Sequence, residues 1–348
     1  MALGDVVELD RRTVLVLGQE LISSQGQPDV ANSLLHVAGD TLYLVDTGCT
    51  EQFREALVAA VGQLGSWSRL VVLTTHGHVD HVGNNDLADQ LGHDHGASVV
   101  HLVPAADVAQ MRDAVGYWTD SLRRLAGVLP GYESAGDIAS LIVSLFQPQH
   151  PFGATTRTFE ASPFERIDIG PLRLTGWSFG DGAVNVLRSQ GHCAGQVVVH
   201  LRDAGVLHLS DEANAPCGAM HDADQVKLLT SLGHAATLVE SGAVRTVTEG
   251  HLFRASTGDD AVARMETLLD QAVELDARAH DLLGDGTGPV DAGAFAGDLG
   301  DAYAVLGTEG GNPSPMFLAL MAVNTLRELG LAPVDGGDGG RWAPPELR

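Results

Sequence analysis

His76-Gly77-His78-Val79-Asp80-His81-Val82-Gly83-Asn84 follows directly on the apolar residues 71–75, and the reading of this junction decides the fold. A Val/Leu/Thr run that enters a polar, glycine-containing segment has the grammar of a strand ending in a turn. Four potential metal ligands, His76, His78, Asp80 and His81, fall within six residues of that turn. Residues two apart on a chain leaving a strand can converge on one ion, as His76 and His78 would, while Asp80 and His81 reach a second ion beside it. Gly77 and Gly83 remove side-chain bulk where the backbone is expected to bend tightly. One histidine in such a place has an ordinary reading as a core or surface residue; four ligands together do not.

Outward from this junction the same grammar recurs. Val/Leu-rich runs at 13–17, 33–37, 41–45 and 70–74 read as strands, with an amphipathic helix over 51–64 carrying Phe53, Leu57, Val58 and Val61 on one face. A second half repeats it, with strands near 172–177, 183–188, 197–201, 205–209 and 245–248 and a helix near 223–232. Two β-rich halves with interleaved helices predict an α/β chain in which two sheets pack face to face with helices outside, an αββα sandwich over 13–255. Residues 105–159 interrupt the rhythm with helical stretches at 106–128 and 135–146 and read as an insertion that caps the site. Tyr117, Trp118, Phe146 and Phe152 either line an apolar substrate slot or simply pack the insertion onto the sandwich. Helices over 259–283 and 314–329 form a C-terminal extension spanning 256–332, and the Gly/Pro/Asp-rich stretch 333–348 reads as a flexible tail.

The opening motif resembles the H-x-H-x-D-H signature of the metallo-β-lactamase superfamily, and further landmarks of that family follow in its order. Asp46-Thr47-Gly48 matches an early Asp that orients the metal loop without being a ligand; Gly191-His192-Cys193-Ala194-Gly195 resembles the G-H-T-x-G element; Ser210-Asp211 matches the bridging Asp; Glu249-Gly250-His251 matches the last His. The resemblance implies a first metal on His76, His78 and His192, a second on Asp80, His81 and His251, and Asp211 between them. Cys193 and Ala194 stand where Thr and Pro are usual, and Glu249 where Pro is frequent, but no ligand is lost. Cys193 reads as a small buried packing residue. His36, His93, His95, His101, His150, His200, His208, His221, His234 and His280 match no ligand position, and His93 and His95 read as solvated residues of a turn.

What the resemblance implies chemically is two Zn2+ per chain, with Fe or Mn as substitutes, generating hydroxide from a shared water, and Asp80 and Asp211 as the catalytic residues that shuttle its proton. No G-x-S-x-G elbow offers a competing nucleophile. The family includes β-lactamases, lactonases, thioesterases such as glyoxalase II, sulfatases, phosphodiesterases and iron-dependent persulfide dioxygenases, so the metal motif alone does not choose among them. Composition narrows the field. A net charge of −25 repels nucleic-acid phosphates and other polyanions. With the apolar slot that the insertion offers and the expected absence of export, this leans toward a small or acyl-chain ester, thioester or lactone, with a non-haem iron redox enzyme, a β-lactamase, a sulfatase-type hydrolase or a non-enzymatic relative as the alternatives. No stretch approaches the about eighteen unbroken apolar residues of a membrane span, and residues 1–12 lack the basic-then-apolar pattern of a secretory signal. Cys49, Cys193 and Cys217 show no C-x-x-C spacing. A cytoplasmic protein is the resulting expectation, with a homodimer through the insertion or the C-terminal helices left open.

Overall fold

Leu15 and Leu17 point one way from their strand and Val14 and Val16 the other, and each pair finds an apolar layer to cover it. That two-sided demand organises the whole chain, which the computed structural model describes over residues 4–21, 27–215, 218–283, 289–306, 314–334 and 340–344. The first sheet runs in sequence order through β1 (Val6–Asp10), β2 (Thr13–Val16), β3 (Ser33–Ala38), β4 (Thr41–Val45), β5 (Arg69–Leu73), β6 (Ser98–Val103) and β7 (Thr156–Thr158). Its first four strands are antiparallel and β4 to β7 parallel. Parallel pairing needs helical crossovers, and these cover the outer face, so the central strands are buried on both sides.

The second sheet contains β8 (Glu165–Ile169), β9 (Leu172–Phe179), β10 (Val184–Arg188), β11 (Val197–Leu201), β12 (Val206–His208), β13 (Thr246–Thr248) and β14 (Ser256–Thr257) in reverse spatial order, antiparallel except for the β12–β13 pair. The two inner faces share a core that includes Leu15, Leu34, Tyr43, Leu73, Trp177 and Val199. Helices α1 (Glu51–Val61) and α3 (Leu87–His95) close the outer face of the first sheet, with the single turn α2 (Val79–Val82) between them at its edge. Thr50 starts α1 by accepting the Phe53 amide, 3.2 Å away. The expected αββα sandwich is thus present, its far layer made by helices covering the second sheet.

The insertion departs from expectation in detail. Residues 106–128 are not one helix but α4 (Val108–Arg112), α5 (Ala114–Leu122) and a short 3-10 turn, because Asp113 leaves the helical region and caps α5 by accepting the Gly116 amide at 2.8 Å. After α6 (Ala135–Leu145) the chain returns to the sandwich. The second sheet is covered by α7 (Gln225–Glu240) and α8 (Asp259–Leu283), and α9 (Ala292–Leu306) and α10 (Pro315–Glu328) then pack on the insertion. Trp118, Leu122 and Ala139 share one core with Phe295, Leu320 and Met321. The insertion and the C-terminal extension are therefore a single helical body. Trp118, 6.4 Å from Phe317 ring to ring, belongs to that core and not to a substrate slot.

Part of the stretch expected to be a flexible tail is ordered. β17 (Arg341–Ala343) pairs with β15 (Val290–Asp291) and β16 (Ala332–Pro333). Trp342 and Ala343 supply the reason, since both are buried and an indole gains much from leaving water. Among the described residues no helix is long and apolar enough to cross a membrane.

Candidate metal centre

β10, β12 and β13 end at the same edge of their sheet, and a bond from the Val197 amide to the Thr75 carbonyl, 3.0 Å, ties the end of β5 to that edge. His76 and His78 leave β5, Asp80 and His81 sit on α2, His192 lies between β10 and β11, Asp211 follows β12, and His251 follows β13. All seven ligand candidates read from the sequence meet there, in two groups joined by Asp211: His76, His78, His192 and Asp211; and Asp80, His81, Asp211 and His251. Three non-glycine residues with positive φ, Asp46 (56°), Gln190 (66°) and Ser210 (52°), aim the loops. Such backbone is costly and persists where the surrounding structure enforces it.

The donor separations, 3.0 to 3.9 Å, bracket the spacing that a divalent cation needs. Bonds of roughly 2.0–2.2 Å in tetrahedral geometry separate donors by roughly 3.3–3.6 Å. His76 Nε2 and His78 Nδ1 are 3.0 Å apart, and His192 Nε2 is 3.1 Å from the same Nδ1. Asp211 Oδ2 lies 3.9 Å from His76, 3.5 Å from His192 and 3.3 Å from His251, while Oδ1 is 3.1 Å from His81 Nε2. Asp80 Oδ2 is 3.2 Å from His251 Nε2. His81 Nε2 and Asp211 Oδ1 are buried without an aligned hydrogen-bond partner, as lone pairs turned toward a common ion would be.

The outer nitrogens of four histidines are held, which fixes tautomer and ring plane. His76 Nδ1 meets Thr75 Oγ1 at 3.1 Å, His81 Nδ1 meets Asp46 Oδ2 at 2.8 Å, His251 Nδ1 meets the Pro28 carbonyl at 2.7 Å, and His78 Nε2 meets Tyr117 Oη at 3.1 Å. Asp46 also accepts the Thr75 amide and hydroxyl, both at 2.7 Å, so it holds the start of the loop that carries four of the ligand candidates.

The two halves differ electrostatically. Burial drives the first half neutral: His76 falls well below its ordinary value, His78 falls to about 3, and His192 is lowered as well. Burial would also lower His81, but Asp211, Asp80 and Asp46 outweigh it and raise it to about 10; His251 rises well above its usual value through Asp211 and Asp80. Against their own burial, Asp80 and Asp211 are held below the carboxylate range by these imidazoles. Cations compete with protons for the same lone pairs.

Several residues that shape the centre carried no signal in the sequence. Asp107, 1% exposed, accepts the Gly77 amide at 2.7 Å and also bonds the Gly195 amide, so one carboxylate clamps both loops of the first half. Burial, with Asp222 nearby, pushes Asp107 up to about 7. Buried Glu212 accepts the Gly191 amide at 2.7 Å and is likewise pushed to about 7, chiefly by burial. Gly77 is needed for room, not for bending, since its φ is not positive and a Cβ there would lie 2.8 Å from Asp107 and Gln110. Gly83 is similar, with Cys49 2.5 Å from its would-be Cβ. Tyr117 reaches the ligand candidate His78, while Phe152 packs with Val82, Val103 and Met111 and Phe146 with the helical body. Cys193 is buried with its thiol 3.9 Å from Asp107; Cys217 lies outside the described residues. His93 and His95 are exposed but helical, in the last turn of α3, and the His95 ring lies 4.5 Å from that of Trp67, tilted by 34°. Glu249 forms a buried ion pair with Arg264 of α8, both contacts at 2.7 Å.

The family profile of the metallo-beta-lactamase superfamily matches residues 26–251. Among solved structures, a metallo-beta-lactamase family protein of Thermus thermophilus is 20% identical with a TM-score of 0.57, over 90% of this chain and 93% of that one. A beta-lactamase domain protein of Burkholderia ambifaria is 20% identical with a TM-score of 0.59, over 99% and 94%. The stereoselective inverting sec-alkylsulfatase Pisa1 of a Pseudomonas species is 18% identical with a TM-score of 0.58, over 93% of this chain but 50% of its own length. No curated protein matches the sequence.

Proposed function

The chain belongs to the metallo-β-lactamase superfamily, and from that premise we propose that it is a hydrolase working through two divalent cations, Zn2+ before Fe or Mn. Its substrate is a small or acyl-chain ester, thioester or lactone. The observation that carries the reading is Asp211, one carboxylate within 3.1–3.9 Å of four histidines drawn from both halves of the centre. Held by His76, His78, His192 and Asp211 on one side and by Asp80, His81, Asp211 and His251 on the other, divalent cations would supply a lowered water pKa, from near 16 to roughly 7, and Lewis acidity toward a substrate carbonyl. The chain's own residues do the rest. Asp211, shared by the two halves, and Asp80, beside His251 in the second, take up the proton that the attacking water releases. Asp46, through Thr75 and His81, holds both halves in register during turnover. The strongly acidic chain disfavours polyanionic substrates and supports a neutral or monoanionic one.

Asp211→Ala is expected to abolish binding of the second cation and turnover together; full activity with two metals retained would remove Asp211 from this role. Zinc-replete protein assayed on carboxylic esters, thioesters, lactones, β-lactams, sulfate esters and phosphodiesters is expected to prefer the first three. Sulfate esters are the second reading, favoured by the alkylsulfatase likeness in fold over 93% of the chain, helical body included. A preference for them would replace the carboxylic reading. Iron in protein purified without added metal, with oxygen-dependent turnover, would replace hydrolysis by redox chemistry.

A further inference from the structure

Nothing in the seven donors requires a helix of the insertion to reach the centre, yet α5 delivers Tyr117 to His78. We infer that Tyr117 is a positioning residue for the first half-site, and that through it the helical body sets how firmly that half holds its cation. The inference rests on the two-cation reading above.

Bond directions support it. His78 turns Nδ1 toward His76 and His192, so its proton sits on Nε2 and is donated to Tyr117 Oη, 3.1 Å away. Tyr117 then has its own hydroxyl proton to give, and donates it to Asp222 Oδ1 at 2.8 Å. Asp222 Oδ2 accepts the amide of Ala194, two residues beyond His192, at 3.0 Å. The chain His78–Tyr117–Asp222–Ala194 thus closes a ring around the first half-site, with a carboxylate at its end that strengthens His78 as a ligand. Asp222 is itself braced by the helical body. The neighbouring His221 carbonyl accepts Arg124 Nη2 at 3.0 Å and Arg327 Nη1, and Asn324 of α10 donates to the Gly218 carbonyl at 3.1 Å. The second half takes its support elsewhere, from Asp46 and the Pro28 carbonyl. A disturbance at Tyr117 therefore reaches one half-site and spares the other. A packing role alone would survive replacement by phenylalanine, which keeps the ring and loses only the hydroxyl.

The test is an equilibrium Co2+ titration of the metal-stripped full chain, followed by the visible absorption of the bound ion, for wild type, Tyr117→Phe and Asp222→Asn. Tyr117→Phe is expected to weaken one of two cobalt sites about 10- to 100-fold and shift its absorption, leaving the other site unchanged. Asp222→Asn, which keeps an acceptor oxygen for Tyr117 without the charge, is expected to fall between the two. Two wild-type cobalt affinities in Tyr117→Phe, even with a lowered melting temperature, would overturn the inference, as would equal weakening of both sites. Wild-type protein that takes up no cobalt would overturn the metal reading and this inference with it.

Discussion

At the scale of the residue, the centre depends on small side chains being small and buried ones keeping the right charge. A Cβ on Gly195 would lie 2.2 Å from the Asp107 carboxyl, with no room to retreat because Asp107 is fully enclosed. Gly195→Ala is therefore expected to cost about 1–3 kcal/mol by overpacking and to lower metal content at the first half-site, read by denaturant unfolding and elemental analysis. His101 gives a pH-dependent counterpart. It is buried between Thr74 Oγ1 at 3.0 Å and Thr156 Oγ1 at 2.8 Å, and burial lowers its pKa from the ordinary 6.5 to about 4. Between these values the unfolded chain binds a proton that the native chain refuses, so stability is lost as pH falls from 6.5 through 4, by up to about 3 kcal/mol for this residue. In His101→Gln, which can still donate and accept, the difference in stability between pH 7 and pH 4 is expected to shrink; an unchanged difference would show that His101 does not contribute to it.

At the scale of the element, α8 is more than cover for the second sheet. Its Arg264 pairs with Glu249, two residues before His251, while Asn32 donates to the carbonyls of Glu249 at 2.8 Å and Leu252 at 2.7 Å, so the last ligand loop is gripped from both sheets. Arg264→Met strands a buried carboxylate and is expected to cost about 3–5 kcal/mol, with much of the loss recovered when Glu249→Gln is added; a double-mutant cycle by thermal unfolding measures this. The departure from Pro at 249 thus has a partner, one that no reading of the loop alone could supply. What is legible in the sequence is whatever is local: strand periodicity, the helix beginning at Glu51 and the ligand candidates packed into residues 76–81, while His192, Asp211 and His251 come only through the family resemblance. What is not legible is what distant segments share. Asp107, Asp222 and Glu212 sit in unremarkable surroundings and matter only because the fold buries them beside glycine amides 21 to 88 residues away or, for Asp222, beside Tyr117, 105 residues away. Trp118 and Trp342 escape a local reading for the same reason, since their partners lie in other parts of the chain.

At the scale of the whole molecule, apolar packing continues across the boundary expected near residue 255. α8 buries Ala261, Met265, Leu268 and Ala272 against the second sheet's outer layer, and α9 and α10 bury the apolar face of the insertion. A chain ending at 255 is expected to be insoluble or rapidly digested by protease where the full chain resists. A soluble fragment with a cooperative transition would show the sandwich to be independent of the C-terminal helices. The bracing of Asp222 by Asn324 and Arg327 also imposes an order in time. Synthesis proceeds N-terminal first, at about 5–20 residues per second. All seven donor candidates have been made by residue 251, but α10 begins only at Pro315, so for several seconds the nascent chain carries all of them and lacks the helix that braces Asp222. On the inference that Asp222 steadies the three-histidine pocket, Asp80, His81 and His251 are expected to be in place before that pocket as the chain is made.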